Sequence, residues 1–288
     1  MKRFEYFEPE TVAEAVGLLQ EYGEDARPLS GGQSLLVMMR NRLVTPKAVV
    51  SLRAISGLDG IAYDDQAGLT LGGMATLRDV ENSAVVKQNY LVLHQTMAQV
   101  ATVPVRNLGT IGGNMAHAEL GSDPPQVMLV LGAQVKAIGP DGERLISAGE
   151  LITGYFETAL QPGEIITEIR LPPLPDQTGA VYLKHRVRAM DLAVVGVAAW
   201  LSMGNGTCRE VRIGLGGVSP TPVQPKQAED LLRGQAIDET LIAQAAEAAA
   251  AEVSPMSDIH GSADYRRELV RVYVRRALSQ ALELARAK

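Results

Sequence analysis

The chain has 288 residues, with 46% hydrophobic and 21% charged positions, a composition ordinary for a globular protein of two or three domains. Its net charge of −6 argues against nucleic acid or anionic membrane as a partner. No apolar run reaches the ~18 residues that a membrane span needs, and the N-terminal MKRFEYFEPE lacks a hydrophobic signal core.

The sequence holds one cysteine, Cys208, which excludes an internal disulfide. It also excludes a metal or iron–sulfur site built from the chain's own cysteines. A cytoplasmic location is the default expectation.

In chain order, Pro9–Gly23 reads as a helix, with Thr11 and Glu14 in capping-box spacing and Gly23 as its stop. ARPLSGGQSLL follows as a short strand entering a tight glycine turn, and AVVSL and LTLGGMA have strand character. TLRDV restarts a helix with Thr76 and Asp79 in capping-box spacing, and the residues from Tyr90 to Ala101 continue helical. VMLVLGAQVKAI is apolar, and Gly139–Glu143 (GPDGE) is a turn signal. EIITEIRLPPLP (Glu164–Pro175) reads as a closing strand and a proline-rich exit, the best domain boundary.

Beyond the exit, AVVGVAAWLSM and CREVRIGLGGV flank GNGT, a hairpin pattern. PKQAEDLLRG, DETLIAQAAEAAAAEV and ADYRRELVRVYVRRALSQALELARA read as helices. The last should place Leu269, Val272, Val274, Leu278, Ala281 and Leu284 on one apolar face. The alanine run at Ala245–Ala251 reflects helix propensity alone.

Two stretches set glycine pairs beside small polar side chains: PLSGGQSLL (Pro28–Leu36) and the GTIGGN within Thr102–Pro125. Glycine pairs permit φ > 0, so neighbouring amides can converge into an anion-binding nest. Ser34, Thr110 and Asn114 add polar groups that can reach phosphate or ribityl oxygens. Two such nests facing each other would hold a pyrophosphate; the alternative is two ordinary turns. The competing motifs are missing: no G-x-G-x-x-G follows a strand, and there is no P-loop, H-E-x-x-H or G-x-S-x-G. The four histidines (His94, His117, His185, His260) are scattered and read as surface or packing residues.

PLSGGQSLLVMM, VRNLGTIGGN, GSDPP and YLKHRVRAMDLAVVGVAA occur in this order, followed by GGVSPTPV and SDIHGSADYRREL. Together they resemble the FAD-binding medium subunit of the molybdenum hydroxylases, over nearly the whole chain. Composition and periodicity alone give only α+β with more than one domain. The resemblance implies more: a two-lobed FAD-binding domain of the vanillyl-alcohol-oxidase (PCMH) type over residues 1–176, with lobes of about 1–57 and 58–176. A smaller α+β domain with a three-stranded antiparallel sheet would follow over residues 177–288.

The resemblance also implies site residues and no catalytic residue. Arg27, Pro28, Leu29, Ser30, Gly31, Gly32, Gln33 and Ser34 would line a first FAD turn, and Thr110, Ile111, Gly112, Gly113 and Asn114 would form a second. Asp123 matches an acidic residue at the cofactor's ribose or adenosine, and Ile166 an apolar position near adenine. Lys184 matches a lysine near the flavin ring, where a positive charge would favour reduced flavin. A solvated strand lysine is its alternative.

Arg106 and Asn107 are expected to anchor the second loop, and Asp191 to pair with Arg186 or Arg188. The chain departs from the family's common pattern at Ser30, where alanine is frequent, and at Glu119, where aspartate is frequent. The implied partners are a large molybdopterin subunit and a small iron–sulfur subunit in a dimer of heterotrimers. An external acceptor such as a quinone or NAD would receive the electrons. Peripheral attachment at the inner face of the membrane is compatible with this. Two other classes remain open: a stand-alone flavin oxidase and a non-catalytic nucleotide-binding or assembly protein.

Overall fold

The structure is a computed structural model that describes residues 1–287; Lys288, the last residue of the expected C-terminal domain, lies outside the described residues. The first unit comprises β1 (Glu5–Phe7), α1 (Val12–Tyr22), β2 (Ala26–Leu29), α2 (Leu35–Arg40) and β3 (Ala48–Ser51). Its sheet has the order β1-β3-β2 and is parallel throughout, with Tyr6 opposite Val49 and Pro28 opposite Val50. Pro28 is tolerated because β2 is an edge strand.

Helix α1 buries Ala15, Val16 and Leu19 against Ala26, Ala48 and Val50. Thr11 caps it by accepting from the Glu14 N–H at 3.2 Å. The expected capping box is displaced by one residue, because the Glu14 carboxylate accepts from the Glu10 N–H at 3.0 Å and not from Thr11.

The second unit begins with β4 (Ile61–Asp64) and β5 (Gly68–Gly72). It continues through α3 (Leu77–Asn82), α4 (Ala84–Asn89), α5 (Leu91–Met97), α6 (Val103–Arg106), α7 (Ile111–His117) and α8 (Pro124–Val130). Then come β6 (Gln134–Gly139), β7 (Gly142–Ser147), α9 (Ala148–Leu151), β8 (Ile152–Gly154), β9 (Glu157–Thr158) and β10 (Ile165–Leu171). The main sheet is antiparallel in the order β4-β5-β10-β6-β7.

The strand expected to close this unit is central in space. Its β-branched run IITEIRL is buried on both sides and bulges between Ile166 and Glu168. The helix expected over Tyr90–Ala101 is shorter, since α5 runs only from Leu91 to Met97. Tyr90 is fully buried at the joint with α4, and its hydroxyl donates to Pro172 O at 2.7 Å. The carbonyls of Val100 and Ala101 accept from the Arg106 guanidinium instead of from helical amides.

The third unit is an antiparallel sheet of β11 (Thr178–His185), β12 (Val195–Gly204) and β13 (Thr207–Gly216), overlaid by α10 (Lys226–Leu232), α11 (Glu239–Ala251) and α12 (Ala263–Arg286). Asn205 (φ 52°) and Gly206 (φ 80°) make the two-residue hairpin turn, as a type I′ geometry requires.

Strand β12 is apolar except at Ser202 because both faces are covered. Val195, Val197, Ala199 and Leu201 pack under the helices, while Ala198 and Trp200 join the core of the second unit. On that side β13 lies against α8, where a Cβ on Gly216 would sit 1.6 Å from Gln126 Nε2.

Two residues of the expected α12 face are corrected. Val272 and Leu284 are 40% and 42% exposed, while Val270, Ala277, Leu282 and Ala285 are buried. Two residues turn a helix by roughly 200°, so Val272 falls opposite Val270, and Leu284 lies at the margin of the buried stripe.

Candidate functional site

The two glycine stretches meet. A groove of about 560 Å³ runs between the turn after β2 and the loop leading into α7, with the segment around Met190–Leu192 along its rim. Arg27 through Ser34, Thr110, Gly113, Asn114 and Asp123 all line it. Ile111, Gly112, Ile166 and Lys184 stand behind its walls: Ile111 and Ile166 are core residues, and Lys184 has a 1% exposed side chain.

Gly31 and Gly112 are glycines because backbones approach there. A Cβ on Gly31 would lie 1.9 Å from Leu108 O, and one on Gly112 would lie 2.5 Å from Gly73 O. Gly32 has φ +70°, the left-handed region that glycine enters without strain. The amides of Gly31, Gly32, Gln33 and Ser34 meet no protein acceptor among the described residues, so the first turn is an open nest.

The second turn is not an open nest, contrary to expectation. Ile111 N–H donates to Ala75 O (2.9 Å), Gly112 N–H to Gly73 O (3.0 Å) and Asn114 N–H to Thr110 O (2.9 Å). Gly113 N–H donates to Thr110 Oγ1 at 3.1 Å, so Thr110 caps α7. The docking of α7 on the end of β5 therefore satisfies these amides. What the loop offers is the bare Cα of Gly113 and the side chain of Asn114, whose Oδ1 accepts from Ser122 Oγ at 2.9 Å.

Asp123 lies at the back of the groove in a buried cluster. Its carboxylate accepts from Tyr182 Oη at 2.6 Å and from Lys184 Nζ at 2.7 Å. Burial pushes the Asp123 carboxyl up, opposed by Lys184 and Tyr182, and burial beside Asp123 raises the Tyr182 phenol. Lys184 is thus neither a solvated strand lysine nor a free ammonium on the groove surface.

Asp191 also departs from expectation. Its carboxylate accepts from the Arg188 backbone N–H at 2.9 Å and makes no ion pair among the described residues. Arg106 does anchor its loop, bonding Glu81 at 2.8 Å and the Val100 carbonyl at 2.8 Å.

Sequence reasoning missed the apolar floor (Leu35, Met38, Val44, Leu77, Val105) and the rim residues His117, Phe156, Met190 and Leu192. His117 packs its ring 5.2 Å from that of Phe156, and burial holds its pKa below the usual 6.5 despite nearby Glu119. Nothing in the local sequence marks these positions except apolar side chains inside polar stretches, as in HRVRAMDLA.

Residues 2–174 match the family described as the FAD binding domain in molybdopterin dehydrogenase, and residues 180–281 match the CO dehydrogenase flavoprotein C-terminal domain. The chain belongs to the FAD-binding medium subunits of the molybdenum hydroxylases. It is 38% identical over 285 residues to the carbon monoxide dehydrogenase medium chain of Afipia carboxidovorans, covering 99% of this chain and 98% of that one. It is 34% identical over 284 residues to subunit alpha of the 6-hydroxypseudooxynicotine dehydrogenase complex of Paenarthrobacter nicotinovorans, covering 98% and 96%. Among solved structures it matches carbon monoxide dehydrogenase from Hydrogenophaga pseudoflava with a TM-score of 0.96 at 35% identity, covering 98% of each chain.

The groove of this flavin subunit fits FAD on its own chemistry. The open nest suits a pyrophosphate, the missing Cβ at Gly113 leaves room beside it, and the apolar floor suits planar rings.

Proposed function

We propose that this chain binds FAD noncovalently in the groove and conducts electrons from iron–sulfur clusters on a partner subunit to an external acceptor. The observation that carries the reading is the open nest at Gly31–Ser34 facing an apolar cleft. The first turn and Asn114 hold the cofactor, Asp123 closes the back of the site, and the apolar floor orients and dries it. Ile111 and Gly112 dock α7 at the right height, and Ile166 supports that contact from β10. Residues 1–176 form the FAD-binding domain, with lobes dividing near residue 57, and residues 177–288 form the C-terminal domain that supplies the Met190–Leu192 part of the rim. FAD, when bound, supplies a store for two electrons that are exchanged singly or together.

The clusters and the molybdenum cofactor belong to partner chains in this reading, a small iron–sulfur subunit and a large molybdopterin subunit arranged as a dimer of heterotrimers. The single, buried Cys208 supports that division, because clusters are held by sets of cysteine thiolates. The acceptor is a quinone, NAD or another small oxidant, and the complex works in the cytoplasm. Among the described residues no helix is long and apolar enough to cross a membrane.

Acid denaturation of the purified chain tests the cofactor assignment. FAD should be released at about one per chain, the stoichiometry of a single pre-formed cleft. FMN in its place, or flavin that stays on the denatured polypeptide, contradicts it.

A further inference from the structure

Lys184 ends β11 just before the chain leaves the sheet for the stretch 186–194. An ammonium has three donors, and three acceptors meet this one: Asp123 Oδ2 at 2.7 Å, Gln99 O at 3.0 Å and Asp191 O at 3.1 Å. The acceptors come from three parts of the chain: the segment after α5, the corner before α8, and the 186–194 stretch itself.

Among the described residues that stretch is otherwise tied down only at its far end, where Ala193 N–H donates to Gly121 O (2.9 Å), Val194 N–H to His185 O (2.8 Å) and Arg266 Nη1 to Val194 O (3.0 Å). The remaining bonds, between Arg188 and Asp191, are internal to it. Among the described residues, the Lys184 contact is therefore what fastens its middle. The middle matters because Met190, Asp191 and Leu192 form the rim shared by the groove and an adjoining cleft of about 500 Å³. Met190 has φ +72°, a conformation that a non-glycine residue holds only when its surroundings impose it.

We propose that Lys184 is a positioning residue: its ammonium clamps the Arg186–Leu192 segment to the Asp123 corner and thereby sets the wall between the groove and the adjoining cleft. It acts on a bound flavin through that segment. Its charge is paired with a carboxylate at contact distance and shielded from the groove, so it presents little net field to a ring. The inference rests on the groove being the flavin site, and its test separates the two.

The first arm needs no substitution. The flavin-stripped full chain is treated with acetic anhydride, with and without added FAD, and its peptides are weighed. Lys184 should stay unmodified in both samples, while Lys47 and Lys226, with 74% and 64% exposed side chains, are acetylated. Acetylation of Lys184 that FAD prevents would mark a lysine facing the ligand and overturn the proposal.

The second arm is Lys184→Met, with trypsin cleavage followed after Arg186 and Arg188. Losing a charged hydrogen-bond donor should speed cleavage there by about tenfold or more. Cleavage at the wild-type rate, or acceleration spread equally over sites elsewhere, would overturn the clamp. If the variant does not fold, the labelling arm decides. If the wild-type chain takes up no FAD while both arms give the expected results, the flavin reading fails and the clamp stands.

Discussion

A methyl group at Gly31 would have to share space with the carbonyl of Leu108, 1.9 Å from the ideal Cβ, and that carbonyl belongs to rigid backbone. At Gly113 the nearest atom is Thr110 Oγ1 at 2.8 Å, a side-chain atom that a change of χ1 can move at the cost of the α7 cap, and the next is Ser30 Cβ at 3.3 Å. The two positions should therefore fail differently. Gly31→Ala should destabilise the fold by about 1–3 kcal/mol, the range for an overpacked contact, and lower the denaturation midpoint. Gly113→Val should leave a folded chain whose flavin affinity falls by roughly tenfold or more, the equivalent of ~1.4 kcal/mol of clash. Equilibrium denaturation together with flavin titration separates these outcomes.

His117 supplies a pH test at the same scale. Burial holds its folded pKa below 6.5, so the unfolded chain binds more protons once pH falls under that value. Its contribution to stability is complete above about pH 6.5 and is lost as pH falls through the folded pKa. His117→Gln should flatten the fall in denaturation free energy as pH drops below about 6.5. An unchanged slope would show that another group governs it.

At the scale of elements, α3 is short and depends on its ends. Thr76 Oγ1 accepts from the Asp79 N–H at 3.0 Å, and the Asp79 carboxylate accepts from the Thr76 N–H at 3.3 Å. The capping box expected from TLRD is thus complete. The same helix holds Glu81, whose 2.8 Å ion pair with the nearly buried Arg106 steadies Val100 and Ala101 at the groove. Thr76→Ala should cost about 1 kcal/mol, seen as a lowered midpoint in thermal denaturation. Caps of this kind are legible because both partners lie three residues apart. The break at Tyr90 is not legible, because its hydroxyl finds its partner at Pro172.

For the whole molecule, the prediction concerns the assembled hydroxylase. A complex stripped of flavin, or carrying Gly32→Val with Gly113→Val, should still let substrate bleach the iron–sulfur absorbance. Turnover with the physiological acceptor should fall steeply, because the route out of the clusters passes through this chain. An artificial dye that takes electrons directly from the clusters should restore part of it. Undiminished turnover with the physiological acceptor would make the flavin a structural passenger. Failure of substrate to reduce the clusters would instead place substrate oxidation at this chain's flavin.

The sequence by itself determined the ordered motifs that mark the family, most helix and strand positions, and the first nest, since these rest on neighbours within a few residues. The Asn-Gly turn at 205–206 and the cap at Thr76 are of that kind. Tertiary structure decided what depends on distant contacts. It made β10 central, turned α12 so that Val272 faces solvent, and used the amides of the second glycine turn to seat α7 on Gly73 and Ala75. It also buried Lys184 against Asp123 across 61 residues of sequence. A hydrogen-bond donor reads the same in sequence whether it is free or engaged; only the approach of a remote carbonyl or carboxylate settles which it is.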